Sequence, residues 1–371
     1  MPERRLKILH ILNELRFSGA ETMLECAAPC FRAAGHDPHI LATGAAIGPF
    51  APALERAGYR LHHIPFAKSV AFFRAVRRLI AAERYDLVHI HCERAYPIYA
   101  LLAAPTSRVV RSTHHLFGFT GGLRLRKTLE RAFCRRVLGV TEINGSLAVH
   151  RNEIARFFAG GPLCWAWYNE AAFVPPTADQ RAEARRRLGC AAGEVLLVSL
   201  GSNTSYKNYG LILDALARLD PALGVRYTHV GDQGPGEPLS RAAAERGLSG
   251  VTRFPGRVEN ALDYLWAADC CVMPSTEEGF GIAAVEAMAA GLPAILSNRP
   301  SLTDFAAFSP DIVYTELDAG ELARHIAAMA ATPDAERRRI GAGLAEVMRR
   351  EFSAPVGAGR YISVYEGLQR V

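Results

Sequence analysis

Met273-Pro274-Ser275-Thr276-Glu277-Glu278-Gly279-Phe280-Gly281-Ile282-Ala283-Ala284-Val285-Glu286-Ala287-Met288-Ala289-Ala290-Gly291-Leu292-Pro293 is the stretch that decides the fold. It follows the apolar run 270–273, turns through two glycines and enters a helical pattern of Ala, Val and Met. A buried strand, a glycine turn and a helix, in that order, make the first part of a βαβ unit. Glu278 stands where the helix should begin, and Glu286 about two turns further on. Two carboxylates in line can accept hydrogen bonds from hydroxyls on two rings of one ligand, and the glycines let backbone N–H groups come close to it. An ordinary pair of helix glutamates would only cap the helix and face water. Glu286 lies among Ala, Val and Met, where a charge must be satisfied by something.

The alternation continues outward from that stretch. Strand candidates are 6–12, 38–42, 61–64, 87–91, 108–113 and 137–141, then 195–201, 225–230, 251–254, 270–273 and 293–296. They are continuous runs of Val, Ile and Leu, as strands buried on both faces are. Amphipathic stretches at 20–34, 70–83, 123–137, 180–188, 208–219, 238–247 and 259–267 lie between them. The pattern predicts an α/β protein of two Rossmann-like, doubly wound domains, as 371 residues would allow. Phe173-Val174-Pro175-Pro176-Thr177 interrupts it and sets the boundary, giving domains 1–175 and 176–354. Ligands of such sheets bind at the carboxyl ends of the strands, so the expected site is the cleft between the domains.

Composition excludes several classes. With 50% hydrophobic and 22% charged residues the chain is neither disordered nor low-complexity. No apolar run reaches the roughly 18 residues that span a bilayer. The segment Leu6 to Leu12 contains Lys7 and His10 and reads as a first strand, not a signal peptide, so a cytoplasmic protein is expected. Eight Cys form no CxxC pair, and no DxD or His/Asp cluster is evident, so neither a metal nor a cofactor is expected. The net charge of +6 is uneven: residues 1–175 carry 23 Lys and Arg against 13 Asp and Glu, and residues 176–371 carry 20 against 24. The first half should face an anionic partner. Charge confined to one half, with no known module, argues against nucleic acid.

Two further segments carry candidate chemistry. Phe17-Ser18-Gly19-Ala20-Glu21 follows the first strand, and a glycine turn opening a helix suits a phosphate; a plain strand–helix turn has the same look. Ser199-Leu200-Gly201-Ser202-Asn203-Thr204-Ser205-Tyr206-Lys207-Asn208 puts a lysine in a polar loop at the start of a helix. Lys207 is one of only four lysines, and an ammonium there could neutralise a diphosphate. Neither segment has the glycine spacing of a dinucleotide fingerprint or a Walker loop.

Glu278 to Glu286, with Pro274-Ser275 before and Ala287-Met288-Ala289 after, resembles the E-x7-E signature of the retaining glycosyltransferases of family 4, which have the GT-B fold. Other segments agree. Ser18-Gly19-Ala20-Glu21 resembles the family's Gly-Gly-Ala-Glu loop. Arg111-Ser112-Thr113-His114 resembles the strand ending in a His beside the donor sugar. Lys207-Asn208 resembles its phosphate-binding Lys, and Phe254-Pro255-Gly256-Arg257-Val258 the loop that holds the base. Residues 360–368 resemble the last helix, which crosses back, so about 355–371 would join the first domain. Two departures stand out: Ser202 occupies a position where the family often has Arg, and Asn169-Glu170 replaces a common Asn-Gly.

The resemblance implies a metal-independent hexosyltransferase with a nucleotide-sugar donor, UDP-linked by default. The donor would be held by the second domain and the acceptor by the first. Glu286 would hold the ribose and Glu278 the sugar. The amides of Gly279, Phe280, Gly281 and Ile282 would meet sugar and diphosphate. Lys207, with Gly19, Ala20 and Gly201, would face the diphosphate, Arg257 and Val258 the base, and His114 the sugar, with His115 its neighbouring alternative. His62, His63, His89 and His91 read as structural. Transfer would retain configuration by front-face attack without a protein nucleophile. The acceptor would be a glycan, a lipid-linked sugar or a small natural product. Along 123–137, Leu125, Leu129, Ala132, Phe133 and Val137 share one face and Arg124, Lys127, Arg131 and Arg135 another. The apolar face is expected against the sheet. The basic face would then be free for acceptor phosphates or an anionic membrane, which would make the protein peripheral at the inner face. A sugar-nucleotide epimerase on the same fold, or a non-catalytic relative, are the alternatives.

Overall fold

The computed structural model describes residues 5–368. These form two compact units: one runs to Tyr168 and resumes at Ala354, and the other is Asn169–Ser353.

The first unit holds β1 (Lys7–Leu12), α1 (Gly19–Ala33), β2 (Asp37–Ala42), α2 (Ala51–Arg56), β3 (Arg60–His63), α3 (Val70–Glu83), β4 (Leu87–Ile90), α4 (Tyr96–Ala103), β5 (Arg108–Thr113), α5 (Gly121–Arg136), β6 (Thr141–Asn144) and α6 (Leu147–Phe157). The second holds α7 (Ala178–Arg187), β7 (Val195–Leu200), α8 (Gly210–Leu216), β8 (Val225–Val230), α9 (Pro238–Glu245), β9 (Thr252–Gly256), α10 (Leu262–Ala267), β10 (Cys270–Met273), α11 (Ile282–Ala289), β11 (Ala294–Ser297), β12 (Val313–Thr315), α12 (Ala319–Ala331) and α13 (Asp334–Phe352). The last helix, α14 (Ala354–Gly367), belongs to the first unit.

Each unit is one six-stranded parallel sheet, ordered β3-β2-β1-β4-β5-β6 and β12-β11-β10-β7-β8-β9. Both are the doubly wound order, whose strand sequence reverses at β1/β4 in the first and β7/β10 in the second. Crevices for ligands form there, beyond the carboxyl ends of the strands. The central strands are buried on both faces, with β7 fully buried from Val195 to Leu200, whereas the edge strands β3 and β9 are partly exposed.

Local sequence accounts for the helices. In α3, Ser69 accepts a hydrogen bond from the Phe72 amide (3.2 Å), and Phe72, Val76 and Ile80 recur every four residues on the buried face. Each such side chain contributes about 1.5–3 kcal/mol when fully buried. The helix stops at Arg84, which takes a left-handed conformation at φ 52°. Tyr361 and Tyr365 of α14 reach the first sheet, where their hydroxyls lie 2.8 Å from Ser112 Oγ and 2.6 Å from His89 Nδ1.

The structure moves two boundaries. The units divide after Tyr168, ahead of the proline pair. Phe173 packs on the second core, Val174 accepts from the Trp266 indole (2.8 Å), and Pro175 lies against Gly291, so this segment belongs to the second unit. The sixth strand is 141–144 and not 137–141, because α5 runs to Arg136 and Gly139 breaks the backbone at φ 66°.

Candidate active site

In the second unit the loops after β7 and β10 come together at the switch point. The Thr276 amide donates to Tyr206 O (2.7 Å), which ties one loop to the other. Lys207 closes a 3-10 turn, Ser205–Lys207, three residues ahead of α8 and not at its start. Its Nζ donates to Glu278 Oε1 at 2.7 Å, and Ser275 Oγ donates to the same oxygen at 2.8 Å. The lysine of this polar loop is largely shielded from water: the Lys207 side chain is 14% exposed and Glu278 8%. An ammonium has three donors, and Glu278 takes one.

The loop that carries Glu278 is held from below. Ser301 Oγ donates to Glu278 O (2.8 Å) and Gly279 O (3.1 Å). Phe280 turns inward against Phe305 and Phe352, with ring centroids 5.3 and 5.4 Å away. Gly281 caps α11 at φ 92°, and a Cβ there would meet Leu302 Cδ2 at 2.7 Å, so only glycine fits. Ile282 opens α11 and directs its first turn toward the same strand ends. Glu286, one turn on, is largely buried, and burial pushes its carboxyl up to about 8 even though Lys207 pulls it down. Gly201 at φ 120° ends β7, and Arg257 and Val258 follow β9 on the same edge of the sheet.

In the first unit Gly19 and Ala20 open α1, where Ser18 Oγ pairs with Glu21. His114 follows β5. Its Nε2 lies 3.1 Å from His91 Nδ1, and His91 Nε2 lies 3.0 Å from His10 Nδ1. Sequence reading sees no histidine cluster, yet parallel register sets His10 beside His89, with His91 two residues on. His10, His89 and His91 place ring nitrogens within 4.8 Å of one another. They fit a metal poorly, because both His89 nitrogens are engaged, by Tyr365 and by Ser112 Oγ (2.7 Å). His89 is thus held inside the first unit, and His63 Nε2 lies 3.0 Å from Gly44 O. Burial holds His10 and His114 at about 3.

Helix α5 lies the other way round from its reading. Arg131 and Lys127 are buried. Arg131 grips Glu153 through Nε (2.6 Å) and Nη2 (3.1 Å), and Lys127 meets Glu93 (3.3 Å) and Glu130 (2.9 Å). Arg111 pairs with Glu142 (2.7 Å) and Glu93 beside them. Arg124 and Arg135 are exposed and donate to the carbonyls of Arg156 (3.2 Å) and Phe158 (2.8 Å). Carboxylates from β6, α6 and the loop after β4 draw the basic face inward. The apolar face is left in water: Leu125 is 63%, Leu129 61%, Phe133 44% and Val137 66% exposed, near Ile154 and Phe158. Among the described residues no helix is long and apolar enough to cross a membrane.

Comparison with known proteins places these parts. Residues 180–343 match the glycosyl transferases group 1 family and residues 17–151 match glycosyltransferase family 4. A D-inositol 3-phosphate glycosyltransferase of Streptomyces bingchenggensis is 30% identical over 338 residues, which is 82% of this chain and 73% of that protein. One from Geodermatophilus obscurus is 38% identical over 142 residues, 33% of this chain, and the match spans only 31% of that relative's length. The crystal structure of Anabaena HepE in complex with UDP and glucose shares the fold, with a TM-score of 0.81 at 19% identity over 97% of this chain and 99% of that one. Both halves of the sequence and both sheets therefore lead to one conclusion: the chain belongs to glycosyltransferase family 4 and has the GT-B fold.

Proposed function

We propose that the protein transfers a hexose from a nucleotide-sugar, a UDP-sugar first, to a hydroxyl of a lipid-linked acceptor, with retention of configuration and without a metal. The observation that carries this reading is the Lys207–Glu278–Ser275 cluster at the switch point of the second sheet. Glu278, fixed by Ser275, faces the sugar hydroxyls. Lys207 keeps two N–H groups for the diphosphate and so stabilises the charge that develops on the leaving oxygen. Glu286 takes the ribose, and the amides from Gly279 to Ile282 approach sugar and phosphate. His114 meets the sugar. The C1–O bond to phosphate breaks, the acceptor oxygen bonds to C1 on the same face, and its proton passes to the departing phosphate. The D-inositol 3-phosphate glycosyltransferases among the relatives support a phosphorylated acceptor. A thermal-shift panel of UDP-, GDP- and ADP-sugars tests the donor: a ligand at 100 times its Kd stabilises by about 2.7 kcal/mol. UDP-sugars should raise Tm most; no shift with any of them would remove the reading.

The exposed face of α5 supports the acceptor class. Leu125, Leu129, Phe133 and Val137 are rimmed by the exposed Arg124, Arg126, Arg135 and Arg136, an apolar stripe with a cationic border that fits an anionic bilayer surface. Insertion of the apolar stripe, not the basic face, then provides most of the binding. Replacing Leu125, Leu129 and Phe133 by Ser should weaken anionic-vesicle binding on the order of 100-fold, while high salt weakens it only in part. Co-sedimentation measures both. Wild type that ignores anionic vesicles at low salt would leave a soluble acceptor.

A further inference from the structure

His10, His91 and His114 form an unbroken row of hydrogen-bonded imidazoles that runs from inside the first sheet to the end of β5. The His91 and His114 ring planes are nearly parallel, 14° apart with centroids at 5.4 Å. A neutral imidazole has one N–H and one lone pair, so two bonds through a shared middle ring leave two arrangements. In one, His10 donates to His91 and His91 to His114, and every proton sits on Nδ1. In the other, donation runs back inward and every proton sits on Nε2.

The inner end of the row decides between them. His10 Nε2 is buried and has no partner among the described residues. Inward donation would leave an N–H unpaired there, whereas outward donation leaves only a lone pair. Orphaned buried N–H groups are the rarer of the two defects. Burial also keeps all three rings neutral, so none carries a second proton that would blur the direction.

We propose that His10 and His91 are positioning residues that hold His114 as its Nδ1–H tautomer, so that its remaining ring nitrogen is a fixed hydrogen-bond donor to an oxygen of the donor sugar and not a base. The last part rests on the assignment of His114 to the sugar; the tautomer does not. His89 stands outside the row, because its nitrogens are held by Tyr365 and Ser112.

The test is long-range 15N–1H spectroscopy of histidine-labelled, donor-free protein, which distinguishes the two tautomers. His10, His91 and His114 should all show the Nδ1-protonated pattern. His91→Phe keeps a ring but loses both bonds. It should turn His114 to the Nε2–H form and lower kcat about 10- to 100-fold, the scale for partners that orient an imidazole, with free-nucleotide affinity unchanged. His91→Gln returns an amide N–H to His114 and should restore the Nδ1–H pattern and most of the turnover. An Nε2–H His114 in the wild type, a His114 signal indifferent to His91→Phe, or stoichiometric zinc in the purified protein would overturn the row as described. Wild-type transfer by His114→Ala, with the Nδ1–H pattern present in the parent, would instead remove the assignment of His114 to the sugar.

Discussion

Replacing Lys207 by Ala should lower sugar transfer about 10²- to 10³-fold, the cost of removing one preorganised donor from a developing oxyanion. The pairing with Glu278 adds a second effect. Without its ammonium, Glu278 is a buried carboxylate left with the Ser275 hydroxyl, so the variant should also lose stability. The double variant Lys207→Met with Glu278→Gln separates the two. It removes the unpaired charge and should recover most of the Tm, but it should not recover transfer. Lys207→Arg should rescue poorly, since a planar fork cannot keep one short bond to Glu278 and still present a compact charge beside it. Rate measurements with saturating donor, next to thermal melts, give both readouts. Transfer at the wild-type rate by a folded Lys207→Ala would withdraw the lysine from the diphosphate.

Glu286→Gln should have the larger effect on pH dependence. Burial raises this carboxyl from 4.5 to about 8 in the folded protein. The native state therefore binds more protons than the unfolded state between those values, and its stability falls as pH rises from about 4.5, levelling off above about 8. At about 1.4 kcal/mol per pH unit the ionised Glu286 destabilises the free protein by a few kcal/mol at pH 8.5. Glu286→Gln should match wild type near pH 4 and be more stable at pH 8.5. If the carboxylate holds the ribose hydroxyls, nucleotide binding must release a proton below pH 8. Affinity should then climb between pH 6.5 and 8, and the calorimetric heat should follow the buffer's ionisation enthalpy. In the Gln variant affinity should be lower and flat with pH. Buffer-independent heats in the wild type would show that the nucleotide does not use this carboxylate.

What the sequence makes legible is set by how far apart the interacting residues are. The strand runs and the glycine turns at Gly201 and Gly281 act locally, and ten of the eleven strand candidates overlap the observed strands closely. β12 is only three residues, Val313–Thr315, and gives no run to read. The α5 helix is found within two residues of its ends, yet its orientation is inverted. Periodicity reports which residues share a face but not what lies beneath, and the carboxylates that claim Lys127 and Arg131 come from Glu93 and Glu153 on other elements. Lys207 looks solvated for the same reason, because Glu278 arrives 71 residues later. Ser301, which holds the loop of Glu278 from 23 residues away, carries no pattern of its own. The histidine row had a signal that goes unread: His10 and His91 alternate onto one side of adjacent strands once β1 and β4 are paired.

The return of α14 to the first unit dictates an order of assembly during synthesis. Residues 169–353 form one continuous segment with its own sheet and can fold as soon as they leave the ribosome. The first unit, although made earlier, must wait. Until Tyr361 and Tyr365 arrive, Ser112 lacks one hydroxyl partner and His89 has an unfilled nitrogen in the sheet, and Trp167 has nothing from α14 to close over it. A nascent chain stalled before residue 354 would therefore carry a complete second unit and a first unit still lacking its last helix.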